Sequence, residues 1–234
     1  MGSRVAPLVK KPLSGFAESI RSIRSTISLS GEPGKNKVVA ITSAVPGEGK
    51  TTTSVCLGRI SAMAGSRTLV IDCDIRRRRL SNALAGRAGN GWLDSLLGAG
   101  DFKTAVHKDN KTDLDILPAG KSRTTTKDVF GTKAFVELIA WAKQEYDLVV
   151  LDCPPVLAVA ETMIISSRAD AVIVNALWGE TRAPVVRNAI ATLGKARANI
   201  IGVVLTSVNL KKQSRYGDAS YGAYYQAYRK YYAE

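Results

Sequence analysis

The sequence predicts an α/β fold, a doubly wound and mostly parallel sheet flanked by helices, followed by a mobile tyrosine-rich C-terminal tail. Three observations carry this. Short runs of continuous apolar residues, such as 148–151, suit parallel strands covered on both faces. Those runs alternate with segments of helical periodicity. The 234 residues, 45% of them hydrophobic, suit one α/β domain or at most two small ones with a full buried core.

The elements follow in order. Residues 1–13 are basic and proline-bearing and read as extended. Over 15–29, Phe16, Ile20, Ile23 and Ile27 recur at helical spacing with Glu18, Arg21 and Arg24 between them. Gly31-Glu32-Pro33-Gly34 breaks the chain. Strands are predicted over 37–42, 67–72, 114–117, 147–152, 171–177 and 200–206. Helices are predicted over 50–64, 92–97, 133–145, 162–167 and 184–196. The domain reading is an N-terminal segment with an oligomerisation helix (1–34), the main domain (35–210) and the tail (211–234). No internal repeat is visible.

The net charge of +13 and pI near 9.8 favour acidic partners such as nucleotides, nucleic acid, anionic lipid or an acidic protein surface. Three cysteines, Cys56, Cys73 and Cys153, form no CxxC pair, which argues against a disulfide framework or zinc site and for a reducing, cytosolic setting. No apolar run approaches the ~18 residues of a membrane span, and Met1-Gly2-Ser3 does not open a signal peptide.

Ala44-Val45-Pro46-Gly47-Glu48-Gly49-Lys50-Thr51 follows a predicted strand and opens a predicted helix. It ends in the GKT of a P-loop, with Ala44 where GxxxxGKS/T has its first glycine. Glycines let backbone N–H groups converge on phosphate oxygens, and the helix N-terminus adds positive potential. Gly47, Glu48, Gly49, Lys50, Thr51 and Thr52 are therefore the expected ATP-binding residues. Lys50 is expected on the β- and γ-phosphates, the Thr51 hydroxyl on Mg²⁺, and Thr52 on the α-phosphate. Two strand ends add acids: Asp72-Cys73-Asp74 after 69–71, and Asp152 before Cys153-Pro154-Pro155. Ligands of open parallel sheets sit beyond such carboxyl ends, where these groups can hold Mg²⁺ and orient a nucleophile. A plain loop-capping role is the alternative for Asp74 or Asp152.

From about Pro12 to the terminus the sequence resembles the bacterial tyrosine kinases, P-loop NTPases that form the cytoplasmic autokinase domains of capsule and exopolysaccharide export systems. The resemblance rests on the P-loop from Thr42 to Thr51, the DxDxR run from Asp72 to Arg76, the strand end Asp152-Cys153-Pro154-Pro155, the terminal tyrosines, and Glu18-Ser19-Ile20-Arg21-Ser22-Ile23-Arg24, which matches an ExxRxxR element. It implies catalytic roles for Lys50, Asp72, Asp74 and Asp152. Asp152 resembles the Walker-B aspartate near Mg²⁺. Asp72 resembles the aspartate that takes the tyrosine proton and also stands among the metal-proximal groups with Thr51 and Asp152. Asp74 resembles its partner in positioning metal or base. Glu18, Arg21 and Arg24 would join subunits into a ring. Further implied partners are a membrane activator or polysaccharide co-polymerase segment and a phosphotyrosine phosphatase, at the inner face of the plasma membrane; no nucleic acid is expected. The sequence departs from the family at Cys56 and Thr206, where asparagines are frequent, and in lacking an early proline after Arg76; Asn209 is not equivalent to the asparagine that Thr206 replaces.

Residues 216–234 hold seven of the eight tyrosines: Tyr216, Tyr221, Tyr224, Tyr225, Tyr228, Tyr231 and Tyr232. These are the expected phosphoacceptors. Full phosphorylation would change the charge by roughly −10 to −14, enough to rival the +13 of the chain. Their spacing also allows an aromatic helix packed on the domain or a partner. A partition or septum-placement ATPase is the rival within the fold, but such proteins carry a lysine where this chain has Val45. A nonenzymatic basic adaptor is the rival from another class.

Overall fold

The computed structural model describes Leu8 and residues 11–32, 37–85, 90–98, 100–121 and 128–209. The tail tyrosines from Tyr216 to Tyr232 lie outside the described residues.

Seven strands form one sheet: β1 (Lys37–Ser43), β2 (Thr68–Asp72), β3 (His107–Lys108), β4 (Asp115–Leu117), β5 (Leu148–Asp152), β6 (Ala171–Leu177) and β7 (Ile200–Thr206). Their spatial order is β3-β4-β2-β5-β1-β6-β7, and every pairing is parallel except β3 with β4. The helices are α1 (Gly15–Leu29), α2 (Lys50–Met63), α3 (Trp92–Leu96), α4 (Lys133–Glu145), α5 (Glu161–Ser167) and α6 (Ala183–Lys195). This is the doubly wound fold that the alternation of apolar runs and helical periods predicts.

Strand alternation divides the core into two layers. Val38 and Ala40 of β1, Leu69 and Ile71 of β2, and Val149 and Leu151 of β5 join Trp92, Phe130, Phe135 and Leu193 on one face. Val39, Ile41, Val70, Leu148 and Val150 turn the other way, towards Ile20, Ile27, Leu57 and Ile60. Both faces are apolar, so the strands read as unbroken runs. On the second face, α2 is buried on nearly all sides. A Cβ on its Gly58 would stand 2.7 Å from Val70 Cγ2, so only glycine lets the helix lie this close to the sheet.

Helix α1 is fixed at both ends. Ser14 Oγ accepts from the Ala17 N–H at 3.3 Å, an N-cap. At the other end Lys37 Nζ donates to the carbonyls of Ile27 (2.7 Å), Ser28 (3.1 Å) and Ser30 (2.6 Å). A cation there satisfies carbonyls left without helical partners and meets the negative end of the helix dipole.

Three short features were not predicted: the π-helical turn Ser81–Ala85, the 3₁₀ turn Phe102–Ala105 and the antiparallel edge strand β3. Each is too short to show a period.

Candidate nucleotide site

The loop between β1 and α2 turns through two left-handed glycines, Gly47 at φ 95° and Gly49 at φ 81°. Such backbone favours glycine because a Cβ would clash with its own chain. Space around the two differs. A Cβ on Gly47 would have nothing within 4 Å, whereas one on Gly49 would meet Thr206 Cγ2 at 3.3 Å. The loop thus keeps an open concave side and rests its back on β7.

Side chains behind the loop hold its shape. Glu48 is 1% exposed, and its carboxylate accepts from the Val45 N–H at 2.8 Å, the Leu177 N–H at 3.4 Å and the Thr181 hydroxyl. The Glu48 carbonyl accepts from Asn175 Nδ2 at 3.3 Å and Thr206 Oγ1 at 3.1 Å. Asn175 Nδ2 also reaches Thr53 Oγ1 at 2.8 Å. The Glu48 side chain is therefore spent inside the protein, and only its backbone remains for a ligand.

Two acids arrive on neighbouring strands in register, because Asp72 of β2 pairs with Asp152 of β5. Both are buried. Asp72 Oδ1 accepts from the Asp74 N–H at 3.1 Å, and Oδ2 from the Ser81 N–H at 2.9 Å and Ser81 Oγ at 2.6 Å. Burial pushes Asp72 up to about 6; the Ser81 bonds oppose this, and the Asp74 charge adds to it. Asp152 Oδ1 accepts from Ser54 Oγ at 3.2 Å, while Oδ2 is buried without a hydrogen-bond partner. Burial, then the Asp72 charge, raises Asp152 to about 8 against the pull of Thr51 and Lys50. Asp74 keeps slight exposure, and its Oδ1 accepts from the Arg77 N–H at 3.0 Å.

Lys50 opens α2 and is 8% exposed. Burial lowers its pKa, and Asp152, Asp74 and Glu48, in that order, work to keep it charged. Arg79, an exposed residue, acts against them. Lys50, Asp74 and Asp152 thus lie within electrostatic reach of one another beside the loop.

A magnesium-bound phosphate fits these residues. The orphaned Asp152 Oδ2 is a buried carboxyl oxygen that a cation or water would satisfy, and the open side of Gly47 leaves room for phosphate oxygens. Among the described residues no cluster of three or more His, Cys, Asp or Glu side chains could hold a metal. Magnesium is commonly held by one or two protein oxygens, with phosphate and water completing its shell. Thr51 and Asp152 are suited to that role; Asp72 spends Oδ2 on two bonds from Ser81 and keeps one lone pair on Oδ1.

The structure also places residues that sequence reasoning missed. Ser54, Ser81, Asn175 and Thr181 all steady the site. Asn175 alone left a signal, as the one polar residue inside the apolar strand Ala171–Leu177. Thr206 buttresses the loop through its bonds to the Glu48 and Ala176 carbonyls. Cys73 and Cys153 are fully buried among apolar groups, and burial raises both thiols well above their usual range, which suits packing rather than thiol chemistry. Glu18, Arg21 and Arg24 lie on α1. Arg21 pairs with Glu18 at 3.1 Å and donates to the Pro12 carbonyl at 2.6 Å, and Arg24 reaches Ser66 Oγ at 3.5 Å.

A glycine-turned phosphate loop heading a buried helix, with acids at adjacent strand ends, defines a P-loop NTPase of the doubly wound type. The AAA domain family matches residues 36–193, and the tyrosine-protein kinase YwqD of Bacillus subtilis is 32% identical over 88% of this chain and 87% of its own length. The chain belongs to the bacterial tyrosine-protein kinases of the AAA domain family. It also matches the succinoglycan biosynthesis transport protein ExoP of Rhizobium meliloti, 29% identical over 97% of this chain, but it spans only 29% of ExoP's length. The kinase domain of the Escherichia coli tyrosine kinase Etk superposes with a TM-score of 0.80 at 25% identity, covering 87% of this chain and 81% of that one. No helix among the described residues is long and apolar enough to cross a membrane.

Proposed function

We propose that the chain is a Mg-ATP-dependent protein-tyrosine kinase that phosphorylates the C-terminal tyrosines of a neighbouring copy, within a polysaccharide synthesis and export system. The observation that carries this reading is a preformed phosphate loop with Lys50 and the orphaned Asp152 oxygen beside it, within electrostatic reach of each other. Loop N–H groups and Lys50 bind the β- and γ-phosphates; Thr51 and Asp152 hold magnesium, directly or through water. Magnesium, when bound, neutralises charge on the phosphate oxygens. A tail tyrosine oxygen forms a bond to the γ-phosphorus, the bond from that phosphorus to the β,γ-bridging oxygen breaks, and ADP leaves with the electron pair. Asp72 takes the phenolic proton, and Asp74 keeps Asp72 oriented through its backbone N–H. Most of the catalysis is positioning and charge neutralisation.

The test is incubation of purified protein with Mg-ATP, followed by mass spectrometry of residues 211–234. Phosphotyrosine is expected there and should vanish in Lys50→Met and Asp152→Asn. Full labelling in both variants would remove the mechanism.

The same reading assigns Glu18, Arg21 and Arg24 to a ring contact, since charged pairs across an interface fix register without large net energy. Arg21→Ala with Arg24→Ala should lower the sedimenting mass, and an unchanged mass would count against the ring. A membrane activator segment, fused or separate, and a phosphotyrosine phosphatase are the further partners this reading assigns.

A further inference from the structure

We infer that Glu48 is a positioning residue that shapes the phosphate loop before nucleotide arrives and ties it to the turn formed by residues 177–181, so that nucleotide occupancy and the state of that turn are linked. This rests on the reading of the loop as the nucleotide site.

The argument begins with a conflict. A carboxylate behind an anion site repels the phosphates that the site must bind. It also loses hydration on burial, and Glu48 is 1% exposed. An acid at this position must return something else, and its hydrogen bonds show what. One carboxylate oxygen holds the Val45 N–H at 2.8 Å, closing the loop on itself. The other takes the Leu177 N–H at 3.4 Å and the Thr181 hydroxyl, both beyond the loop at the end of β6. The carbonyl of the same residue takes Asn175 Nδ2 and Thr206 Oγ1, from the ends of β6 and β7. Glu48 also sits between the two left-handed glycines, where the loop has least stiffness of its own. Its bonds therefore supply rigidity that the glycines give up.

These contacts run in both directions. A phosphate that pulls on the loop N–H groups shifts Glu48, and Glu48 bears on residues 177 and 181. Trp178 lies within that turn, half-buried, with its backbone N–H donating to the Thr206 carbonyl at 3.1 Å. It is a built-in reporter.

The experiment measures Mg-ADP binding by calorimetry and tryptophan emission on the full chain. Glu48→Gln keeps size but lacks the second acceptor oxygen, so binding should weaken about tenfold. Thr181→Val should weaken it about threefold. The double variant should bind no more weakly than Glu48→Gln, because both break one network. In the phosphotyrosine assay Glu48→Gln should raise the KM for ATP more than it lowers kcat. Mg-ADP should change tryptophan emission in the parent; the change should be absent from Trp178→Phe and lost from Glu48→Gln at saturating nucleotide. Thermal unfolding without nucleotide identifies which variants fold, and Thr181→Val carries the test alone if Glu48→Gln does not. Parent-like affinity in both variants, additive losses, or a surviving emission change in Glu48→Gln overturns the inference. Lys50→Met separates the two ideas. Lost binding there with parental binding in Glu48→Gln removes only the role of Glu48, while parental binding in both removes the nucleotide reading as well.

Discussion

Helix α2 carries two buried cations, and their surroundings differ. Arg59 meets Asp109 in a forked pair, Nε to Oδ2 at 3.0 Å and Nη2 to Oδ1 at 2.6 Å, with side chains 2% and 1% exposed. Thr112 Oγ1 adds a bond to Oδ2 at 3.0 Å, so the cluster is matched in charge and leaves none of its buried polar atoms without a partner. Lys50, at the head of the same helix, faces Asp152, Asp74 and Glu48, with Asp72 next to Asp152. That cluster has surplus negative charge and a carboxylate oxygen with no partner. A buried charge set that closes on itself fixes structure. One left open at a phosphate loop is arranged for a cation and an anion that arrive together.

The largest expected effect is on activity at the open cluster. Lys50→Met should lower phosphotyrosine formation by at least about 10²–10³-fold, the scale of losing one charged contact to the transferring group. Arg59→Met should leave labelling per folded molecule near the parent value. If the two variants lost activity equally, the distinction between the clusters would fail.

The next effect is on stability, at the closed cluster. Asp109→Asn leaves the Arg59 charge buried without its counter-charge, which should cost about 3–5 kcal/mol. Replacing both partners with apolar residues of similar volume should restore most of the loss, since the full pair also pays for desolvation. Urea midpoints with an unchanged slope are the measurement.

How much of this is legible in the sequence differs between the two clusters. The phosphate loop and the strand-end acids have a signature because chemistry requires fixed residue types at fixed spacing along the chain. The order of strands and helices was legible for a similar reason, since period follows geometry. The Arg59–Asp109 pair joins positions fifty residues apart, and only the fold brings them together. Arg59 between Val55-Cys56-Leu57-Gly58 and Ile60 is a hint of a buried partner, but nothing local names Asp109. Ser54 and Ser81 gave no hint, because serine is equally common in loops and first turns. The sequence marks Thr206 only as standing where an asparagine is frequent; the close approach of Gly49 and the bond to the Glu48 carbonyl make it a prop for the loop.

A smaller effect concerns the pH response of the metal-free, nucleotide-free protein. Folding raises Asp72 to about 6 and Asp152 to about 8, both by burial first. An acid raised on folding binds its proton more tightly in the folded state. Unfolding free energy therefore falls as pH climbs from the unfolded value of about 4 towards the raised values. Their contribution is whole at acid pH and is lost through about pH 8. Asp152→Asn cannot ionise, so its stability should fall less between about pH 5 and about pH 8 than the parent's does. Urea unfolding in chelator at both pH values checks this. An equal fall in the two proteins would mean that Asp152 ionises folded as readily as unfolded.

The smallest effect comes from a third ion pair, one in contact with water. Lys143 Nζ lies 2.7 Å and 2.8 Å from the two oxygens of Asp170, but the side chains are 44% and 39% exposed. Solvent screening and the entropy of holding a lysine leave such pairs worth at most about 1 kcal/mol. Lys143→Ala should cost no more than that, and the cost should vanish near 1 M salt, where the screening length is about 3 Å. Asp170→Ala should cost more and keep its cost in salt, because Asp170 Oδ2 also accepts the Val38 N–H at 2.8 Å, at the head of the interior strand β1. Asp170 therefore stands between the two kinds of site. Its cation is dispensable and its backbone contact is not, so a salt titration of the two variants separates charge from hydrogen bond at a single carboxylate.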